Sequence, residues 1–128
     1  PPPLCSGLVP FDQLLREAAG IQVVEPAAGI VEVESSLALR NPAGTLQGAM
    51  VAMVIECAVE ELAGVRAHGP VIVTDLDIRY LAKTGAGPVR SCCRPLGDGP
   101  DAPVEVTLTD CSDGRLTTHA YARAVVLP

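Results

Sequence analysis

The sequence predicts an α+β fold in which an antiparallel sheet curls around one long apolar helix. Three observations carry this reading. Short segments of alternating apolar and polar residues recur through the chain, as half-buried strands require. One run, about residues 47–66, has helical length and is apolar nearly all round. Aromatic residues are almost absent (Phe11, Tyr80 and Tyr121), although 48% of the 128 residues are hydrophobic, so the core must be aliphatic. A chain of this length suits a single domain over residues 1–128 with a core of its own. One sheet covers only one side of an apolar helix, so the rest must meet another subunit, another domain or a long loop.

The elements follow in order. "FDQLLREAAG" reads as a short helix ended by Gly20. "IQVVEP" is a short strand stopped by Pro26. "GIVEVESSLALR" reads as a strand with Val31, Val33, Leu37 and Leu39 on one face and Glu32, Glu34 and Arg40 on the wet one. The loop "NPAGT" leads into the long helix, which "HGP" ends. In "VIVTDLDIRYLAK", Ile72, Leu76, Ile78 and Tyr80 oppose Asp75, Asp77 and Arg79. "GPVRSCCRPLG" is a further strand, with Pro95 marking an edge or irregular position. "PVEVTLTDC" and "RLTTHAYARAVVL" are two more, joined by "SDG". "GDGPDAP" is a surface loop, the most flexible stretch, and no repeat or linker divides the chain.

The net charge is −6 and the nine basic residues are scattered. Nucleic-acid binding, which rests on neutralising phosphates, is thereby argued against; a ligand with a few phosphates needs only a local cationic patch. Five cysteines, an odd number without C-x-x-C, suggest reduced thiols in a cytoplasmic protein rather than a disulfide framework or a zinc site. Cys92 and Cys93, adjacent in a strand, should face opposite sides. No apolar stretch reaches transmembrane length.

The chemistry gathers on the long helix. From Leu46 to Val59 only Gln47 and Glu56 are strongly polar. Burial should raise the Glu56 pKa, and Glu60, one turn on, should raise it further, which suits a general base or nucleophile. Charge runs are most often solvated faces, so chemistry alone favours Glu56, Glu60 and Glu61 as the wet end of the helix. At the helix start, Gly44 and Gly48 would let free backbone N–H groups approach a thioester carbonyl or a phosphate; a plain Gly-rich turn capped by Thr45 is the simpler alternative. Gln47 and Glu56 are nine residues apart, about 13–14 Å of rise and roughly half a turn. They cannot easily serve one pocket from one helix, but two copies in a two-fold dimer could bring one helix start to the other's carboxylate.

The stretch N-x-x-G-x-x-Q-G-A (Asn41, Gly44, Gln47, Gly48, Ala49) with Glu56 after it resembles the hotdog-fold acyl-CoA thioesterases of the PaaI-like and 4-hydroxybenzoyl-CoA groups. Their motif typically reads N-x-x-G-x-x-H-G-G, followed by Asp or Glu. "TDLDIRYL" and "DGRLTTHAYARAVV" resemble the family's later strands, in matching order over almost the whole chain. The resemblance implies a hotdog domain that hydrolyses an acyl-CoA-type thioester. In it Glu56 is the catalytic carboxylate, the Gly48 N–H polarises the carbonyl and Asn41 helps orient the reacting groups. It also implies active sites shared within a homo-oligomer, a dimer or a dimer of dimers, with Gln47, Ala49 and Thr74 at the substrate. No cofactor is implied beyond coenzyme A as part of the substrate.

The departures from the pattern are specific. Gln47 replaces the usual His and cannot exchange a proton near neutral pH. Ala49 adds a methyl in place of the second glycine. Many members carry Ser or Thr where this chain has Val73, and in a regular strand Thr74 faces the other way. Lys83 and Arg90, with Arg79 and Arg94, are candidates for coenzyme A phosphates. His68 and His119 lack partners at metal-ligand spacing. The dearth of aromatics suggests an aliphatic pocket open to fatty and aromatic acyl groups alike. The altered Q-G-A leaves an alternative open: a degenerate, non-catalytic hotdog domain that binds acyl groups or supports an assembly.

Overall fold

The structure, a computed structural model, describes residues 13–128. Cys5 and the first residues of the expected N-terminal helix, Phe11 and Asp12, lie outside them. The helix that is described, α1, spans Leu15–Ala18, and Gly20 follows it at φ 82°. The long helix, α2, spans Gly48–Ala67. His68, in the left-handed conformation, and Gly69 close its last turn on the carbonyls of Val65 and Gly64.

Six strands form one antiparallel sheet: β1 (Gln22–Glu25), β2 (Ile30–Val33), β3 (Val71–Tyr80), β4 (Val89–Pro95), β5 (Val104–Asp110) and β6 (Arg115–Val126). Their order across the sheet is β1-β2-β4-β5-β6-β3, so β3 is one edge. β5 shows why the alternation reads so cleanly. Val104, Val106, Leu108 and Asp110 are buried, and the residues between them are half-exposed.

The helix α2 lies against the inner face of this sheet. Val54, Ile55, Ala58, Val59 and Leu62 meet Val31, Val33, Val89, Val106 and Leu108, all at 3% exposure or less. Each of these valines, leucines and isoleucines contributes about 1.5–3 kcal/mol through burial. On β6 the inner residues Ala120, Ala122 and Ala124 are small and fully packed, which leaves room for a helix to lie close.

Two parts of the strand reading are corrected. The third predicted segment stays in the sheet only to Val33. Arg40 donates through Nε to the Ser35 carbonyl (2.9 Å) and hydroxyl (3.3 Å), and Leu37–Leu39 form a 3-10 turn. Leu37 is therefore 84% exposed instead of sharing the face of Val31 and Val33. In β3 the register slips between Val73 and Asp75. This bulge places Ile72 opposite Val125 on the outer face, while Leu76, Ile78 and Tyr80 pair with Ala122, Ala120 and Thr118 on the inner one. Alternation cannot be carried through an extra residue.

Cys92 is exposed and Cys93 half-buried, on opposite faces of β4. The Cys93 Sγ reaches the Gly29 carbonyl at 3.4 Å. The 97–103 loop is tied down: Arg66 donates to the carbonyls of Gly97 (2.7 Å) and Gly99 (3.2 Å).

Candidate active site

Of the expected residues, the start of α2 brings together Gly48, Asn41 and Lys83. Gln47 is its N-cap but makes no side-chain capping bond. Thr45, the expected cap, instead accepts a hydrogen bond at its hydroxyl from the Thr84 N–H (2.9 Å). The Met50 and Val51 N–H groups donate to the Gln47 carbonyl. The Gly48 and Ala49 N–H groups have no partner among the described residues and stand at the positive end of the helix dipole.

Beside Gly48 lies a pocket of about 530 Å³ whose walls include Asn41, Val51, Tyr80, Lys83, Thr84 and Thr118. The Tyr80 hydroxyl donates to the Gly48 carbonyl at 3.1 Å. A Cβ on Gly48 would sit 3.3 Å from that hydroxyl, a tight contact that keeps this position small. The pocket expected from composition to be aliphatic has a mainly apolar wall, but Asn41, Tyr80, Lys83 and the threonines bring polar groups to it.

Asn41 does line this pocket, but its side-chain oxygen is committed to the loop, accepting from the N–H groups of Ala43 (3.0 Å) and Thr45 (3.3 Å). Its amide NH2 makes no hydrogen bond among the described residues. Gln47 and Ala49 lie in a different groove of about 390 Å³, with Leu15, Leu39, Met50 and Met53. There the Gln47 amide donates to the Arg40 carbonyl at 3.2 Å. Thr74 sits in the β3 bulge, its hydroxyl donating to Asp75 Oδ2 (2.8 Å), in a hollow on the sheet edge away from Gly48's pocket.

Glu56 is exposed rather than buried and lines none of these three hollows. Its possible burial is corrected, since no described residue covers this face of α2, and its exposure matches the solvated face that chemistry alone favoured. The half-buried carboxylate is Glu60. Burial is the largest influence pushing its pKa up, followed by the charge and hydrogen bonding of Glu56; Arg16 pulls the other way without cancelling them. Arg16, reaching from α1, lies 3.5 Å from Glu60 and 2.6 Å from Glu61. These two acids thus tie the helices together instead of forming a freely solvated end.

Lys83 belongs to the pocket, but Arg90 does not: it pairs with Glu32 at 2.5 Å across the outer face of β2 and β4. Arg79 pairs with Asp77 and Arg94 with Glu105 on the same face. His119 contacts Glu105 at 3.3 Å and Tyr121 edge-on. Among the described residues, no three His, Cys, Asp or Glu side chains come together as a metal-holding group. No described helix is long and apolar enough to cross a membrane.

Sequence reasoning missed the pocket roles of Tyr80, Thr84, Thr118 and Asp110. Tyr80 was on the expected inner face, but no local signal says that the end of β3 abuts the start of α2. Asp110 is fully buried, accepting from Gly85 N–H (2.5 Å), Gly87 N–H (3.1 Å), Ser112 N–H (2.9 Å) and Ser112 hydroxyl (2.6 Å). It pins the loop that carries Lys83 and Thr84. A lone Asp ending a strand has no sequence mark that separates this role from a turn.

The architecture is the hotdog fold shared by solved structures of the thioesterase superfamily. A conserved protein from Pseudomonas aeruginosa superposes with a TM-score of 0.78 at 20% identity, over 90% of this chain and 94% of its own. A thioesterase from Haemophilus influenzae gives 0.75 at 14% identity, over 95% and 85%. A Bacillus halodurans protein solved with CoA gives 0.70 at 16% identity, over 90% and 78%. No family model matches the sequence, and no curated protein does.

Proposed function

We propose that the protein hydrolyses acyl-CoA-type thioesters. One observation carries the reading: a pocket opens on the uncapped start of α2, where the Gly48 N–H is free to polarise a thioester carbonyl. The hotdog fold and the CoA-bound neighbour support it. In this reading Glu56 activates water or attacks the carbonyl, and the Asn41 amide steadies the reacting groups. No cofactor takes part.

Glu56 and Gly48 are eight residues apart on one straight helix, about 12 Å of rise, so one subunit does not bring them together. A second copy does so in the proposed homodimer. The long edge strand β3, with Leu76 and Tyr80 exposed, supports such an arrangement. Gln47 and Ala49 then border the substrate from the helix start. With four free cysteines among the described residues, the reading extends to a cytoplasmic location, with residues 1–128 forming one hotdog domain.

The test is loss of thioester absorbance across a panel of acyl-CoAs, wild type against Glu56→Ala. Turnover should fall by about 10²-fold or more; unchanged turnover in the variant refutes the role of Glu56. A monomeric mass in solution would contradict the shared site. A second reading, a non-catalytic acyl-binding hotdog domain, is favoured by the engagement of Gln47 with the Arg40 carbonyl and by the absence of Glu56 from the pocket's lining. Binding of acyl-CoA without turnover in the wild type would select it.

A further inference from the structure

The floor of the Gly48 pocket contains two threonines that the proposed hydrolysis does not use. Thr84 is 7% exposed and Thr118 2%. Neighbouring threonines are bonded: the Thr117 hydroxyl donates to the Leu108 carbonyl (3.2 Å), and the Thr45 hydroxyl accepts from Thr84 N–H. The Thr84 and Thr118 hydroxyls have no partner among the described residues. Neither oxygen is fully enclosed, and both residues line the pocket.

Facing the pocket, such a hydroxyl can bond water or a polar ligand; an apolar occupant would strip that partner at a cost of about 1–3 kcal/mol, which valine in the same space would avoid. This chain uses valine freely at its other inner positions, such as Val31, Val33, Val89 and Val106. The two hydroxyls therefore imply a polar occupant. Its charge is indicated by Lys83, the only lysine of the chain. Lys83 lines the same pocket and forms no ion pair among the described residues. Its backbone is held from both sides: Arg115 donates to its carbonyl (2.6 Å), and Thr84 N–H donates to Thr45. Leu46 and Val51 supply an apolar stretch of the same wall.

We propose that this pocket takes an acyl group ending in a carboxylate, gripped by the Lys83 ammonium and the Thr84 and Thr118 hydroxyls. The thioester is the part that rests on the proposed hydrolysis; the carboxylate rests on the pocket alone. The aliphatic spacer lies along Leu46 and Val51, and the carboxylate receives one charged and two neutral hydrogen bonds.

The experiment compares a dicarboxylic half-thioester of coenzyme A with the monocarboxylic thioester of equal chain length. Wild type should favour the carboxylate-tipped substrate by about tenfold or more in kcat/KM. Lys83→Met should abolish that preference, and Thr118→Val should reduce it several-fold. Both effects should persist on pantetheine thioesters, which lack the nucleotide phosphates. No preference in wild type overturns the proposal. So does a Lys83→Met loss that is equal for both coenzyme A thioesters and absent from the pantetheine ones, which would make Lys83 a reader of coenzyme phosphate. If no thioester is hydrolysed, the hydrolase reading fails and the pocket is tested by binding. Amide analogues of the two acyl chains are then titrated while the Thr84 and Thr118 methyl resonances are followed by NMR. Shifts confined to the carboxylate-tipped analogue support the site; equal or absent shifts overturn it.

Discussion

Replacing Asp110 by Asn separates a pocket wall held by charge from one held by shape. Asp110 Oδ1 accepts from Gly87 N–H, Ser112 N–H and the Ser112 hydroxyl, and Oδ2 accepts from Gly85 N–H. Asparagine keeps one oxygen, so three bonds can survive. Its NH2 then faces the Gly85 N–H, a donor against a donor. Losing one charge-assisted bond this way costs about 1.5–3 kcal/mol. At roughly 3–5 °C per kcal/mol for a chain of this size, Tm should fall by roughly 5–15 °C at neutral pH. The sign of the pH dependence follows from the same bonds. Burial pushes the Asp110 carboxyl up, but the Ser112 hydroxyl and N–H, then Gly85 and Gly87, outweigh it and hold the pKa below its ordinary 3.8. As pH falls the unfolded chain takes up this proton first. The stabilisation is therefore complete well above 3.8 and lost as pH drops through the lower folded value. Thermal unfolding of both proteins from about pH 7 to about pH 3 measures the gap, which should be full at the start and shrink below about pH 4. A variant within about 0.5 kcal/mol of wild type at neutral pH, or a deficit undiminished in acid, would refute the charge-held wall.

Gly29 and Gly44 both have positive φ, at 61° and 80°, but differ in surroundings. A Cβ on Gly29 would lie 2.5 Å from the Cys93 sulfur, whereas one on Gly44 meets open space, so Gly29→Ala should cost about 2–4 kcal/mol and Gly44→Ala only about 1–2 in urea unfolding. Gly48→Ala should leave stability nearly unchanged, because alanine favours helix by up to about 1 kcal/mol, while lowering kcat/KM at least about tenfold as the methyl crowds Tyr80 and the carbonyl site. Equal activity would mean that the carbonyl site has room for the methyl and would refute the crowding. Among the four described cysteines, thiol labelling in the folded state should modify exposed Cys92 and Cys111 first. Burial pushes the Cys57 thiol up to about 11 and the Cys93 thiol up to about 12, so mass spectrometry should find both protected at mildly alkaline pH.

What could be read in the sequence was what local pattern encodes. The span of α2 came within a residue of its observed ends, because an apolar run bounded by Gly48 and His68-Gly69 is a local signal. The alternation of β5 and the opposite faces of Cys92 and Cys93 were equally local. Leu37 and Ile72 were misread where one long-range or irregular feature intervened: the Arg40 bonds to Ser35, and the extra residue in β3. At the site, Gly48 and Asn41 line one pocket, since loop and helix start are adjacent in sequence. Tyr80, Thr84 and Thr118 reach it only through the pairing of β3 with β6 and the loop pinned by Asp110, contacts that span dozens of residues. Lys83 was legible as a cation and Arg90 equally so; only the fold separates the one in the pocket from the one paired with Glu32.

Glu56 poses the remaining physical question, because an exposed carboxylate is well solvated and a poor nucleophile, and desolvation is what makes one reactive. Among the described residues, burial falls on Glu60 beneath Arg16, while Glu56 is exposed. On the proposed reading, a second copy must both cover Glu56 and present its own Gly48. Activity is then tied to association by mass action. Specific activity should stay constant at high protein concentration and fall on dilution, with its midpoint matching the dissociation constant measured by sedimentation. Activity unaffected as the protein dissociates would mean that one chain completes its own site, and Glu56 could not then be the group that acts at Gly48.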